Sequence, residues 1–323
     1  MSPPRAPRLA VCVVLLSSVA LGCATATPPE TQAATTGSMH QTPEALDLLT
    51  LLGPDATGVL RVDVRTALSH GWVRAILEDL ILTRSEGAAA FMQGLEHTDE
   101  LVVGFWDIPE GQGTPPMLLM ARGDFRSLPL EEPLQGHAVA HYRQHELRAE
   151  DTARVTVRLA DHTVMNGERE RVLAALDIVD GLAPASEPRG ALIRGAIDRV
   201  GLREHTLAFA IAARVLMRPD GTPFSDSPQV LGFAADLGES VLADGFVTFS
   251  DASAPGVFLA VIDNSVQLLR VNPEVEALGL VPVLERIELR TEGNELLGHA
   301  LFPPDDVQRV SRALGQVLDS PSP

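Results

Sequence analysis

The 323-residue chain contains no lysine, so the 25 basic side chains other than histidine are all arginines. This absence excludes mechanisms that need a side-chain primary amine, such as a Schiff base, a serine–lysine dyad or the lysine of a phosphate-binding loop. Acidic residues number 43, and the net charge is −18. Because so acidic a surface repels a phosphate backbone, nucleic-acid binding is not expected.

Cysteine and aromatic residues are also scarce. The chain has two cysteines, Cys12 and Cys23, and aromatic residues make up 4% of it. Beyond residue 23 there is no cysteine, which excludes a disulfide, a cysteine nucleophile and a thiolate metal site from the rest of the chain. The low aromatic content argues against a polysaccharide-binding platform, which generally uses exposed rings.

The chain begins with a segment typical of export signals. Arg5 and Arg8 precede an uncharged apolar run, Leu9 to Leu21, which is too short to span a membrane. The run ends at Ala20-Leu21-Gly22-Cys23, which resembles the lipobox of bacterial lipoproteins. The commonest lipobox has leucine three residues before the cysteine, where this chain has alanine.

The resemblance implies that residues 1–22 are a signal peptide and that Cys23 is acylated as the first residue of the mature chain. The alternative is an ordinary secretory signal, cleaved near the Ala-Thr-Ala-Thr stretch that follows. Acylation would cap a cysteine that otherwise has no partner. In this class of lipoprotein an aspartate after the cysteine implies inner-membrane retention. Ala24 stands there, so the resemblance implies the outer membrane, with the body facing the periplasm.

The mature chain would be even more acidic. Loss of residues 1–22 removes two arginines and no acid, which leaves 23 basic and 43 acidic side chains and a net charge of −20. Such a charge opposes adsorption to anionic headgroups, so acyl chains would have to hold the protein at the membrane.

Composition divides the rest of the chain. Residues 23–42 combine the lipidated cysteine with an Ala-, Thr- and Pro-rich stretch that predicts a disordered tether with a reach of about 25 Å. We predict an N-terminal α+β domain at 43–183, a C-terminal α+β domain at 190–319 and a disordered tail at 320–323. The boundary falls in the Pro-, Gly- and Ala-rich stretch 181–190.

Hydrophobic periodicity predicts the fold class. Apolar residues alternate with polar ones at 60–64, 155–159 and 286–290, which indicates antiparallel strands with one buried face. Apolar stripes predict helices at 66–82 and 168–179, a third helix with its stripe at 258–269, and a last helix that starts behind Pro303-Pro304 and has its stripe at 307–317. We therefore expect an α+β fold, a largely antiparallel sheet with helices packed on one face. A similar strand, turn and helix at 162–179 and 298–318 suggests two related halves.

Two local predictions can be tested directly. Asn166-Gly167 is expected to form a turn that ends a short strand before the helix at 168–179. Asp251 or Ser253 is expected to cap a helix, whose core face should comprise Phe258, Val261, Ile262, Ser265 and Leu269.

Three histidines offer the most suggestive chemical pattern. His137, His141 and His145 are spaced by four, and Glu146 follows. All three cannot bind one ion, since the outer pair would lie about 12 Å apart on a helix and about 26 Å apart on a strand. A hairpin turning at Arg143-Gln144 could bring His141 near His145. An incidental solvated hairpin is the alternative, and no metal ligand is assigned.

Other candidate groups are read as structural. Adjacent acids at Glu131-Glu132 and Asp305-Asp306 do not supply two carboxyls across a cleft, and they suit a loop and a helix start. Ser69-His70 has no orienting third group. The stretch 111–116 has glycines but ends in two prolines, which predicts a hairpin loop and no phosphate cradle. No catalytic residue and no cofactor is therefore expected.

In organisation the chain resembles uncharacterised bacterial lipoproteins in which a lipobox and short tether precede an α+β body; the resemblance implies no activity. The favoured hypothesis is a non-enzymatic envelope lipoprotein that binds a partner protein or acts as a scaffold. A carrier of a lipid or other apolar ligand is the first alternative. A metal-dependent hydrolase using the histidine hairpin is the second.

Overall fold

The computed structural model describes residues 47–82, 88–107, 115–126, 138–149, 153–160, 162–212 and 228–319. Several predictions lie outside these residues: the signal peptide at 1–22, Cys23 and the tether at 23–42, the tail at 320–323, Glu131-Glu132, His137 and residues 111–114 of the glycine-containing loop.

Twelve strands form one antiparallel sheet. The strands are β1 (Gly58–Asp63), β2 (Thr98–Phe105), β3 (Met117–Gly123), β4 (Ala138–Tyr142), β5 (His145–Ala149), β6 (Arg154–Leu159), β7 (Thr163–Glu168), β8 (Leu207–Ala212), β9 (Pro228–Leu237), β10 (Val241–Phe249), β11 (Ile287–Glu292) and β12 (Glu295–Phe302). Their order in the sheet is β11-β12-β10-β9-β8-β1-β2-β3-β7-β6-β5-β4.

Helices connect and cover the strands. They are a 3-10 helix (Leu48–Leu52), α1 (Val64–Ser69), α2 (Gly71–Leu82), α3 (Ala88–Glu96), α4 (Arg169–Val179), α5 (Ala191–Val200), α6 (Ala254–Arg270), α7 (Pro273–Ala277), α8 (Val281–Leu284) and α9 (Pro304–Asp319). The predicted α+β class and antiparallel sheet are confirmed.

The helices pack on both faces of the sheet, whereas the sequence predicted one. On the first face, the 3-10 helix, α4 and α5 share a core with inner strands, in which Leu49 and Leu176 pack with Val102. On the second face, α8 and α9 cover the C-terminal strands with Leu284 and Val307. Both faces need cover because inner strand β9 is apolar on both sides: Phe233, Ala234 and Ala235 are consecutive and buried.

The strand order repeats across the two predicted segments. Outward from the centre of the sheet, residues 43–183 contribute β1-β2-β3-β7-β6 and then β5-β4, and residues 190–319 contribute β8-β9-β10-β12-β11 in the opposite direction. In each series the third strand pairs with the strand that comes last in that segment of the chain: β3 pairs with β7, and β10 pairs with β12. Antiparallel pairing of β1 with β8 joins the two series, so both segments belong to one sheet.

One predicted turn is wrong. Asn166 and Gly167 lie inside β7, where they pair with Thr156 and Val155 of β6. A Cβ atom on Gly167 would lie 2.4 Å from the carbonyl oxygen of Met117 in β3. Glycine is therefore required for close strand approach, and the chain does not reverse there.

The predicted helix at 66–82 is divided into α1 and α2. Asp63 caps α1, its side chain accepting a hydrogen bond from the backbone N–H of Thr66. His70 then adopts extended backbone, with φ −91° and ψ 116°, and Gly71 begins α2. This break turns α2 so that the Trp72 indole N–H donates to the carbonyl oxygen of Gly238 beyond β9.

Candidate binding surface

Helix α6 packs one side against the second face of the sheet. Phe258 meets Phe249 of β10 edge to face, with ring centroids 5.4 Å apart. Leu259 and Ile262 pack beside it against a core that contains Val247 of β10 and Leu296 of β12. This contact fixes which side of α6 faces water.

The opposite side of α6 is apolar and exposed. Val257 is 68% exposed, Val261 60%, Leu268 63% and Val271, at the C-cap, 76%. Soluble proteins usually place charged or polar side chains on the outer side of a surface helix. We call this side the outer stripe of α6. It consists of Ser253, Val257, Ala260, Val261, Asn264, Leu268 and Val271, all exposed.

The start of α6 is fixed by its preceding turn. The side chain of Asp251 accepts a hydrogen bond from the backbone N–H of Ser253 at 2.8 Å, and Pro255 occupies the first turn. This N–H donation lowers the pKa of Asp251 below its ordinary value. The predicted capping region is therefore correct, and Asp251 provides the hydrogen bond.

A shallow depression of about 660 Å³ lies along the outer stripe. Its described lining residues belong to α6 and its N-cap, and they include the small residues Gly256 and Ala260. A Cβ on Gly256 would meet no atom within 4 Å, so the helix surface is open there. The stripe can accept a neighbour that approaches the helix backbone closely.

The sequence prediction misplaced two residues of this helix. Val261 was assigned to the core face, but it is exposed on the outer stripe. Ser265 was assigned to the core face too, but it lines the depression beside the stripe, and its hydroxyl donates to the carbonyl oxygen of Val261. Phe258, Ile262 and Leu269 do face the core. One feature of the sequence does indicate the stripe: the 17-residue helix contains only two ionisable side chains, Asp263 and Arg270. A helix that is apolar on nearly all sides is usually covered on all sides.

A second apolar surface lies on the central strands, on the sheet face opposite the 3-10 helix. Its side chains are half-buried, whereas Val59 and Val102 on the other face are fully buried. The pairing register places them in two rows: Phe209, Leu60, Val103 and Leu119, and Leu207, Val62, Leu101 and Ala121. We call these the central apolar rows.

The predicted hairpin is confirmed, and its turn is Arg143-Gln144 between β4 and β5. It does not bring the histidines together. His141 pairs with Glu146 and Tyr142 pairs with His145, so the two imidazoles lie on opposite faces of the sheet. Adjacent positions on a strand point to opposite faces, which sequence spacing alone did not resolve.

His145 has a structural role at the end of α4. Its Nε2 lies 2.9 Å from Oδ1 of Asp180, and Gln144 donates to the same carboxylate. Arg143, with φ 55°, contacts the Asp177 carboxylate at 3.1 Å, and its guanidinium stacks on the ring of Tyr142. The hydrogen bond to the Tyr142 hydroxyl raises the pKa of Arg143. These contacts fasten the hairpin to α4.

The remaining candidate groups are also structural. Asp306, only 1% exposed, lies in the first turn of α9 and accepts hydrogen bonds from Arg286 and Arg309. Ser69 ends α1, and its hydroxyl donates to the carbonyl oxygen of Thr66. Within the part of the chain that the structure describes, no three His, Cys, Asp or Glu side chains are arranged to hold a metal ion.

None of the helices in the described ranges combines the length and apolarity needed to cross a bilayer. The sequence matches no family model and no curated protein. The fold resembles solved structures of TP0453. Crystal form III has a TM-score of 0.52 at 12% identity, over 84% of this chain and 99% of that one. Crystal form IV has a TM-score of 0.52 at 13% identity, over 83% and 98%. At such identity the likeness shows a shared fold alone.

Proposed function

We propose that the protein is a non-enzymatic lipoprotein of the bacterial cell envelope that binds a partner protein through the outer stripe of α6. The observation that carries the proposal is the stripe itself. It exposes four large apolar side chains, of which Val257, Val261 and Leu268 lie on one side of a rigidly packed helix. Contiguous exposed apolar surface of this kind is typical of interaction sites.

The lipobox-like sequence Ala20-Leu21-Gly22-Cys23 supports a lipid anchor, and Ala24 after the cysteine supports a location at the outer membrane, with the body in the periplasm. Cys23 would carry the acyl chains, because a net charge of −20 opposes adsorption to anionic headgroups. The described ionisable clusters also support a non-enzymatic role. The carboxylates of Asp180 and Asp306 each contact basic side chains that hold helices in place.

The partner proposal is tested by photo-crosslinking in the envelope. A benzophenone-bearing amino acid at Val261 or Leu268 is expected to give covalent adducts with protein, because both side chains are exposed on the stripe. The matched control is the same amino acid at Asp198, which is 66% exposed on α5, over the opposite sheet face. Adducts no more abundant than those at Asp198 would contradict partner binding.

The central apolar rows favour carriage of an apolar ligand as a second candidate function. Half-buried Leu60, Val103 and Leu119 could bind an acyl chain along the strands. Native mass spectrometry of protein made in a bacterial envelope, compared with its denatured mass, should reveal a retained molecule that organic solvent extracts. Replacing Val103 with glutamate should abolish retention, whereas Val261→Glu should not. No excess mass in the wild-type protein would contradict this function.

A further inference from the structure

The outer stripe of α6 has the spacing of a helix–helix seam. Ser253, Val257, Ala260, Asn264, Leu268 and Val271 are separated by four, three, four, four and three residues. Residues three and four apart on a helix lie on the same side, and alternation of these steps keeps a second helix in contact along its length. From Val257 to Val271 the seam is about 21 Å long.

The chemistry of the stripe favours a protein over a lipid surface. Helices that lie on membranes usually carry Lys or Arg on their polar flank and large apolar or aromatic residues on the other. Here the chain has no lysine, and the stripe has no aromatic residue and a polar Asn264 at its centre. The exposed flanking residues Asp263 and Gln267 are acidic and neutral, so they offer no attraction to anionic lipid.

The stripe is self-complementary about Asn264. That residue lies seven positions from Val257 and seven from Val271. A two-fold axis through Asn264 therefore aligns two copies of α6 antiparallel, with Val257 of one opposite Val271 of the other. The same axis sets Leu268 opposite the small side chain of Ala260, so that a large residue meets a small one.

The polar groups of the stripe fit the same arrangement. An amide both donates and accepts, so two Asn264 side chains on the axis can satisfy each other. Antiparallel helices also place the positive end of each dipole near the negative end of the other. No ionised side chain belongs to the stripe, so no like charges meet along it.

We propose that the partner of the outer stripe is a second copy of this chain, docked through α6 with Asn264 on the two-fold axis. The inference rests on the proposed function, because it names the partner of that surface. One pair of helices gives an interface at the small end of specific ones, so association in solution is weak. Confinement of both copies to a membrane would raise their effective concentration and populate the dimer.

Disulfide trapping tests the register. Each variant is made in the full-length chain with Cys12 replaced by serine and Cys23 retained, so that the protein stays at the membrane, where the dimer is expected to be populated. Acylation blocks the Cys23 thiol, so the introduced thiol is the only free one. A disulfide needs Cα atoms within about 7 Å, which two copies of residue 264 satisfy only near the axis. Under mild oxidation, Asn264→Cys is expected to form disulfide-linked dimers roughly tenfold faster than Asp198→Cys, the exposed control on α5.

A second substitution distinguishes dimers that form through the proposed helix–helix contact from dimers that form by random collision. Adding Val257→Glu to Asn264→Cys should slow dimer formation to the rate of the control, since Val257 is exposed and its replacement leaves the core intact. Equal rates for Asn264→Cys and Asp198→Cys would overturn the proposal.

Two further results would show that something other than a second copy of the chain occupies the outer stripe. Adducts at Val261 with another protein, without trapped dimers, would overturn the second copy and retain the proposed partner-binding function. The second result is that a chain with Cys12 and Cys23 replaced by serine floats with phosphatidylcholine vesicles and loses this binding on Val261→Glu. That result would identify a lipid surface as the occupant and overturn both the second copy and the partner-binding function.

Discussion

Replacing Cys23 with serine is expected to move nearly all of the protein from the membrane fraction to the soluble envelope fraction. Each buried methylene of an acyl chain contributes about 0.8 kcal/mol to membrane binding, so the loss of the lipid removes the dominant attractive term. The net negative charge of the body opposes adsorption to anionic headgroups. Fractionation and detergent phase partitioning of the two proteins measure the effect.

Cys12→Ser is the matched control for this experiment. Cys12 lies in the segment expected to be removed, so its replacement should leave the distribution unchanged. Retention of the Cys23→Ser protein in the detergent phase would contradict acylation at this residue. A wild-type protein that is itself soluble would instead support the ordinary secretory signal.

Gly167→Ala is expected to lower the free energy of unfolding by about 3 kcal/mol or more. The new methyl group would lie 2.4 Å from the carbonyl oxygen of Met117, and the atoms it meets belong to the backbone of β3. Backbone in the middle of a sheet cannot move aside without loss of strand pairing. Urea denaturation followed by circular dichroism measures the change.

Gly195→Ala provides the control. This glycine lies in α5, where a Cβ would meet no atom within 4 Å. Alanine has the higher helix propensity, so this variant should be stabilised by up to about 1 kcal/mol. Similar stabilities for the two alanine variants would show that β3 and β7 do not approach as closely as described.

Gly167 also illustrates what sequence reasoning could not reach. Asn-Gly is a strong local turn signal, and the prediction relied on that preference. The reason for glycine is a carbonyl group about 50 positions earlier in the chain, in β3. Local composition carries no information on such a contact. In contrast, the strand at 155–159 and the helices at 169–179 and 304–319 were predictable, because their apolar periodicity reflects one buried side.

The candidate surface was hidden for a related reason. Hydrophobic periodicity identifies a buried side by assuming that apolar residues face the core. In α6 both sides are apolar, so Val261 was indistinguishable from Ile262 until packing against β10 and β12 fixed the orientation. For the histidine hairpin, the sequence predicted the turn correctly but not the positions of the side chains. Because successive residues of a strand face opposite sides of the sheet, His141 and His145 are separated.

The junction between β1 and β8 has a consequence for the order in which the protein folds. In the described sheet it is the pairing that joins the two series of strands, and its partners are about 150 residues apart. Closing so long a loop is entropically costly, and contacts of high sequence separation form slowly. Each series should therefore assemble around its own hairpins first. The edges of β1 and β8 then stay unpaired until the two series join. These unpaired edges are the expected origin of domain-swapped or aggregated species during refolding.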